Sequence, residues 1–455
     1  RYPQKSLALY ARSEYGKGSF DCQLFKDKPI YSFETFVLRN SADDCRYTMF
    51  KDAMGQAAII GETDIDWQAY RPAVVFINGQ YWGIQNIREK LNEHYVAGNY
   101  NLDPDEVNLV RGSPEWGVMH GNSDNYVEMI EYISTKNLGD ESVYNYVESI
   151  IDVNNYIDYQ IAEIYYSAND WPMNNIKYWR ANNGPYDKWR WIMYDLDNCF
   201  IYIDRNTLEL ATDPNCGCNW PNPPWSTFLF RKMLENDEFK IEFVQRYAWH
   251  MNTTFKAERI NHIIDSMKLN IAPEIPRHIE RWGGQTVPFP EHWIGPTFNS
   301  VEEWENHIDR MKRFVNERRP HATQHVINYF NIPQGMNSLN ISYDQPEAGI
   351  IKINRQTIKG TSHEGDYFKY YPLKVRAISK VGYKFSHWDY ITVRNGKQRN
   401  SIAELTLDMS ENVTLKAHFI RYVDDHPRVI INEINYSSAD DFNTGDWIEL
   451  YNTRN

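Results

Sequence analysis

The sequence predicts an α+β chain of two or three domains, and three observations carry that reading. Apolar runs at 73–77 and 80–87 flank Asn78-Gly79, the strongest short signal for a β-hairpin. From about residue 124 the apolar period lengthens to that of a helix. After Asn331-Ile-Pro-Gln-Gly335 short strands return without any helical stretch. A length of 455 residues is about three times the ~150 of a typical domain.

Residues 1–40 alternate and turn as β structure, with Gly16 and Gly18 in a turn and a strand over 31–39. Asp43 or Asp44 is placed to cap a helix over 47–59. Together with the 73–87 hairpin these predict a β-rich region with one helix. Tyr126, Met129, Ile130 and Ile133 share a helical face, and Tyr156, Tyr159, Ile161 and Ile164 do so less strictly. A second hairpin follows, 176–180 with 188–194, turning over Asn182-Asn-Gly-Pro185. Helices are predicted at 227–250 and 256–268. Another starts at Ser300, which forms a capping box with Glu303 and leads a stripe of Val301, Trp304, Ile308, Met311 and Val315. Residues 203–226 are rich in Asn, Pro and Cys and lack periodicity. They read as a long loop, and loops of that length are usually functional or mobile. Strands at 349–353, 372–378, 402–407 and 413–419 predict a small all-β domain. The run 429–451 starts a further β unit that stops mid-fold.

Composition narrows the function. Hydrophobic residues at 42% and charged residues at 24% are those of a globular chain. A net charge of −13 repels phosphate backbones and anionic lipid, so nucleic acid is not an expected partner. No run approaches the about 18 apolar residues of a membrane-spanning helix. Five cysteines are too few for a disulfide framework. Cys216 and Cys218 form a C-x-C without a second pair at zinc spacing, so a loop disulfide or two free thiols is the plainer reading. The chain opens Arg1-Tyr2-Pro3, with no initiator Met and a strand almost at once, as expected of a processed or truncated piece.

The chemistry concentrates in two segments. Asn169-Asp170-Trp-Pro-Met-Asn174-Asn175 follows a helix that cannot continue through Pro172. Tyr194-Asp195-Leu196-Asp197 ends a hairpin strand. The hairpin between them brings its two ends side by side, placing Asp170, Asn175 and Asp195 at one end of a sheet. Phosphoryl transfer needs a carboxylate near the attacking hydroxyl, and an amide and a second carboxylate to hold Mg²⁺ on the phosphates. Asp170 and Asn175 have the D-x-x-x-x-N offset used for that purpose. Mg²⁺ completes its shell with water and phosphate oxygens, so two protein ligands suffice. The competing reading is structural: Asp170 and Asn174 cap a helix end and turn, while Asp195 and Asp197 decorate a strand terminus. A metal-dependent hydrolase using Asp195 and Asp197 is a further alternative.

Five segments, in order, resemble the CotH (spore coat protein H) kinase family over residues 1–332. They are Tyr2-Pro-Gln-Lys-Ser6, Leu38-Arg-Asn40 with Thr48-Met-Phe-Lys-Asp-Ala53, Asn78-Gly-Gln-Tyr-Trp-Gly-Ile84 with Arg88-Glu-Lys90, Asn169–Asn175 and Tyr194–Asp197. The resemblance implies a divergent two-lobed kinase fold that uses ATP and Mg²⁺ or Mn²⁺ and phosphorylates Ser or Thr of a protein. Asp170 then fits the catalytic aspartate. Asn175, with Asn174 beside it, and Asp195 fit the metal ligands, Asp197 competing for the second carboxylate. Lys5 is the candidate for pairing with nucleotide phosphates, and either Asp52 or Glu89 would orient it. A glycine-rich, phosphate-covering strand pair is expected ahead of Lys5-Ser6, and the sequence starts after it. Residues 333–421 resemble the internalin B-repeat (InlB-repeat-like) module through Gly382-Tyr-Lys-Phe-Ser-His-Trp388 and Asn412–Phe419. In the plainer reading this is a β-spacer with Phe385, Trp388 and Phe419 in its core. Residues 422–455 are similar to the opening strands of a lamin-tail-like β-sandwich, whose missing strands would leave an exposed edge. These resemblances imply a secreted or surface-displayed, extracytoplasmic bacterial kinase whose β modules contact a cell surface or extracellular matrix. The alternative is a kinase-like scaffold without turnover.

Overall fold

A computed structural model describes residues 2–214, 223–286, 295–333, 335–394, 396–422, 429–435 and 447–452. Cys216 and Cys218 lie outside them. The chain divides into two units, Arg1–Gly335 and Met336–Asn455.

The first unit opens with β1 (Leu7–Tyr10), β2 (Thr35–Arg39), α1 (Lys51–Ile59), β3 (Asp66–Trp67), β4 (Tyr70–Ile77) and β5 (Gln80–Glu89). β1, β2, β5 and β4 form an antiparallel sheet in that order. Asn78 and Gly79 turn the β4–β5 hairpin with φ of 51° and 78°, the left-handed backbone that such a turn requires. The helix α1 starts later than its periodicity predicts. The Asp44 carboxylate accepts the backbone N–H groups of Thr48 and Lys51 at 2.9 and 2.8 Å and folds the intervening residues into a turn.

The chain continues through α2 (Glu93–Tyr100), β6 (Val107–Arg111), β7 (Val118–His120), α3 (Asp124–Ser134), α4 (Glu141–Ile150), α5 (Val153–Tyr165), β8 (Lys177–Ala181) and β9 (Arg190–Met193). A second sheet has the order β3-β9-β8-β6-β7. The short β3, from the first part of the chain, pairs in parallel with β9. Aromatic rings fill the space against α3 and α5: Tyr178 stacks on Trp191 at 5.5 Å between centroids, and Tyr126 and Tyr156 pack on the same rings. Every residue of α5 except Asn154 is buried.

The rest of the first unit is α6 (Thr207–Thr212), α7 (Pro224–Met233), α8 (Asp237–Asn252), α9 (Ala257–Ile271), α10 (Ile275–Trp282) and α11 (Val301–Tyr329). The span expected as one helix over 227–250 is broken because the Asn236 side chain caps α8, accepting the N–H of Phe239 at 3.0 Å. The region read as a long loop contains α6. At α11, Ser300 Oγ accepts the Glu303 N–H at 3.1 Å, while the Glu303 carboxylate reaches Asn299 N–H instead of that of Ser300. Trp304, Ile308, Met311 and Val315 are buried as the stripe requires, and Val301 at the helix start is exposed. No helix among the described residues is long and apolar enough to cross a membrane.

Where α10 packs on β5, Gly83 has no side chain to collide with His278 and Trp282, whose nitrogens would lie 2.9 and 2.8 Å from a Cβ there. His278 Nδ1 accepts the Ile84 N–H at 3.1 Å, which requires a neutral ring. Burial pulls its pKa from 6.5 to about 4. Between these values the unfolded chain binds a proton that the folded chain refuses. The stabilisation is therefore complete above pH 6.5 and is lost as pH falls towards 4, by ~1.4 kcal/mol per pH unit at most. Denaturant titrations across this range should give a shallower pH slope for His278→Asn than for the parent chain. Equal slopes would remove His278 as the group responsible.

The second unit contains β10 (Met336–Tyr343), β11 (Gly349–Ile353), β12 (Gln356–Thr357), β13 (Ser362–Phe368), β14 (Leu373–Ser379), β15 (Tyr383–Thr392), β16 (Gly396–Asn400), β17 (Glu404–Leu407), β18 (Val413–Arg421), β19 (Val429–Asn435) and β20 (Trp447–Asn452). They form sheets of order β13-β10-β18-β15-β16 and β12-β11-β14-β17, with β19 and β20 as an antiparallel pair. Trp388 and Phe419 are buried, and Phe385 makes edge and tilted contacts with both rings.

Candidate active site

Asp170 lies beyond the end of α5, where Ser167 takes a left-handed φ of 57° and Pro172 prevents further helix. The loop is anchored from below. Trp171 is buried and its Nε1–H donates to Tyr159 Oη at 3.0 Å, while Tyr159 in turn donates to the Asn175 carbonyl at 3.3 Å. Asn175 itself has φ 61°. Its side-chain amide donates to Asp170 Oδ2 at 3.1 Å and to the Asp195 carbonyl at 3.2 Å. The β8–β9 hairpin thus brings its two ends together as its spacing predicts. Asn175, not Asn174, carries the side-chain bonds; Asn174 closes the loop by donating its backbone N–H to the Asp170 carbonyl.

Asp195 is also left-handed, with φ 60° and ψ 51°. Asp and Asn tolerate this region, and at both positions it turns the chain sharply where the hairpin ends meet. Its neighbour Asp197 is buried. The Arg39 guanidinium, at the end of β2, pairs with Asp195 and lies 3.4 Å from Asp197 Oδ2. Asp197 Oδ2 also accepts the Asp43 N–H at 3.0 Å. The Asp195 side chain is 30% exposed against 5% for Asp197. Asp195 is therefore the carboxylate an incoming cation can reach.

Helix α1 is stitched to this segment. Lys51 Nζ donates to the Asp197 carbonyl at 3.0 Å, and Asp52 Oδ1 accepts the Leu196 N–H at 3.0 Å. The other Asp52 oxygen lies 2.9 Å from Arg88. Gly55 permits the approach, since a Cβ there would be 2.6 Å from Leu196 Cδ1. Asp52 thus holds the backbone beside Asp195 from behind.

The remaining expectations are corrected by placement. Lys5 is not brought into the cluster: it precedes β1, is exposed, and donates to the Tyr2 carbonyl at 2.6 Å. Nor does Asp52 or Glu89 face it. Glu89 sits at the end of β5 in a separate buried pair with Lys28 at 2.6 Å, and Lys28 also bonds the Trp67 carbonyl and Asn99. Arg39 and Lys51 are cations at the site that sequence reasoning missed, although they lie within Leu38-Arg-Asn40 and Thr48-Met-Phe-Lys-Asp-Ala53. Glu163 was missed as well. It is buried on α5, and Oε1 lacks a hydrogen-bond partner.

The electrostatics favour a cation. Asp43, Asp170, Asp195 and Asp197 are set against Arg39 and Lys51. Burial, then the charge of Asp195, pushes the Asp170 pKa up to about 6. Burial and the same neighbour push Asp197 up as well. Burial, then the charge of Asp170, raises Glu163 well above the usual carboxylate range. An oxygen donor set of Asp195 and the Asn175 amide suits a hard divalent ion such as Mg²⁺. Lys177 on β8 adds a second buried cation nearby. It donates to the Leu91 carbonyl at 3.2 Å, and burial lowers its pKa to about 8.

Comparison with known proteins bears on this arrangement. The family model described as CotH kinase protein matches residues 1–321. Among solved structures, the chain is similar to a Helicobacter pylori proinflammatory kinase, CtkA, at 11% identity and a TM-score of 0.31, over 65% of this chain and 92% of that one. No curated protein matches the sequence. The family match spans well over half of the chain and includes Asp170, Asn175, Asp195 and Arg39: the protein belongs to the CotH kinase family.

Proposed function

We propose that the first unit transfers the γ-phosphoryl group of ATP to a Ser or Thr hydroxyl of a protein substrate. The observation that carries this reading is the Asn175 amide bridging the Asp170 carboxylate and the Asp195 backbone. It joins the three residue types that phosphoryl transfer needs in one place. In this reading Asp170 accepts the proton of the acceptor hydroxyl as its oxygen bonds to γ-phosphorus and the bond to the β-phosphate oxygen breaks. A carboxylate held near pKa 6 is matched to that task. Asp195 and Asn175 hold Mg²⁺ or Mn²⁺, which when bound neutralises phosphate charge. Arg39 leaves Asp195 to pair with phosphate oxygens, and Asp52 with Arg88 fixes the backbone on which Asp195 stands. The β-rich and α-rich parts of residues 1–332 serve as the two lobes of a divergent kinase. The β units at 333–421 and 422–455, read as InlB-repeat-like and lamin-tail-like, serve display or attachment outside the cytoplasm.

Calorimetry with Mg-ATP, followed by transfer to Ser/Thr-containing protein, tests the proposal. Binding should be measurable and should weaken by at least about tenfold in Asp195→Ala, because the ion loses a charged ligand. Binding without any transfer would replace the kinase by a scaffold that keeps the nucleotide site. Binding indifferent to Asp195→Ala would remove Asp195 from the metal site.

A further inference from the structure

A second constellation lies within the second unit. Among the described residues, His387, Asp389 and His418 are the group of His, Cys, Asp or Glu side chains whose ligand atoms all lie within 4.8 Å of one another. The backbone produces this grouping. His387 and Asp389 are two apart on β15 and so project from one face, and His418 on β18 is the register partner of His387. Both strands are interior to the five-stranded sheet, which gives the three side chains a rigid platform.

We propose that His387, Asp389 and His418 form a binding site for a divalent transition ion of the Zn²⁺ type. Two imidazoles and one carboxylate with a fourth position open to solvent is a donor set that such an ion accepts. His418 Nε2 lies 3.1 Å from Asp389 Oδ2, and His387 Nε2 lies 3.7 Å from Asp389 Oδ1. Ligands on a tetrahedron with bonds of about 2.0–2.1 Å stand about 3.3 Å apart, so small side-chain adjustments suffice. His418 Nε2 is hydrogen-bonded to Asp389 Oδ2, but two of the atoms that would ligate are unsatisfied. His387 Nε2 and Asp389 Oδ1 are buried at the atomic level and lack hydrogen-bond partners, an arrangement that calls for an unseen group. The far nitrogen of His387 is already oriented, with Ser386 Oγ 3.0 Å from Nδ1, as metal-binding imidazoles usually are. The two rings lie nearly parallel, 14° apart with centroids at 4.5 Å.

Cations compete for the carboxylate. Lys397 lies 3.3 Å and Arg399 3.7 Å from Asp389, with side chains 62% and 74% exposed. Both can swing into water when a metal displaces them. Lys416, opposite Asp389 on β18, is engaged by Asp344 at 2.6 Å.

The test uses the full chain in excess Mg²⁺, which occupies hard-ion sites, and titrates Zn²⁺ and Co²⁺. About one equivalent should bind, with Co²⁺ giving the absorption of a four- or five-coordinate nitrogen and oxygen site. His387→Gln and His418→Gln should each weaken binding by more than about a hundredfold, the loss of a direct ligand exceeding the about 10–100-fold of an outer partner. Asp195→Ala should leave this binding unchanged. A sulfur-to-cobalt charge-transfer band would place the ion at the cysteines and overturn the proposal. So would the absence of binding, or affinity retained in both histidine variants. If the variants fail to fold, the Co²⁺ spectrum of the parent chain still decides.

Discussion

Replacing Asp170 by Asn should lower kcat by about 10²–10⁴-fold while leaving Mg-ATP affinity nearly unchanged. The substitution keeps size and shape, and an Asn oxygen can still accept from the Asn175 amide. It removes the group proposed to take up the acceptor proton, an interaction that matters chiefly in the transition state. Asp170 is half-buried and is held by the Asn175 amide, and it is not one of the two proposed metal ligands, so the metal should keep them. If Asp170 were only a turn-forming residue, Asn would serve almost as well and activity would survive. Affinity and turnover measured on the same preparation separate the two cases. Full turnover in Asp170→Asn would falsify its role as base.

Replacing Arg318 by Met should destabilise the first unit by roughly 3–5 kcal/mol. Arg318 is fully buried on α11. Its guanidinium donates to the carbonyls of Ile164 and Tyr165 at 3.0 and 2.9 Å, and to those of Ile203 and Arg205 at 2.7 and 2.9 Å. The first two close the C-terminal turn of α5, where a positive charge is also favoured by the helix dipole. The other two hold the chain that leaves Asp195–Asn198. One side chain thus clamps the loops that carry Asp170 and Asp195. Met fills similar volume but removes the donors to all four carbonyls, and Lys cannot reproduce the fork. Among the described residues, only the carbonyls of Ile164 and Arg205 also accept a backbone N–H, from Ser167 and Thr207. Denaturant midpoints of the two proteins measure the difference, and nucleotide binding should weaken in parallel. A change below about 1 kcal/mol would mean that water or neighbouring groups satisfy the carbonyls.

The repeating, local features were legible in the sequence because backbone geometry and solvent exposure impose them. Asn78-Gly79 announces its hairpin because few residues tolerate two left-handed positions. Ser300 announces α11 because its hydroxyl fills an orphan N–H. Asp170, Asn175 and Asp195 could be joined from sequence because a hairpin returns its ends to one place. The CotH family resemblance was carried by the same local segments.

The partners of the charged residues were not legible, and Lys5 is the instructive case. It has the right residue type on an apparent first strand, yet β1 starts two residues later and leaves its ammonium on the Tyr2 carbonyl. Arg39 meets Asp195 instead, because β2 ends beside the Asp195 loop, a juxtaposition across 156 residues that no local period encodes. Asp52 and Glu89 were indistinguishable as candidates until packing turned one towards Arg88 and Leu196 and the other towards Lys28. His387, Asp389 and His418 show the same division. The strand of His418 was predictable, whereas β15 with His387 and Asp389 was not among the expected strands, and only the cross-strand register brings His418 opposite His387. The sequence by itself determined the local elements, because local turns, caps and periodicity select them. The tertiary structure decided which charges meet, because a side chain's partner depends on long-range contacts that fix distance and exclude water.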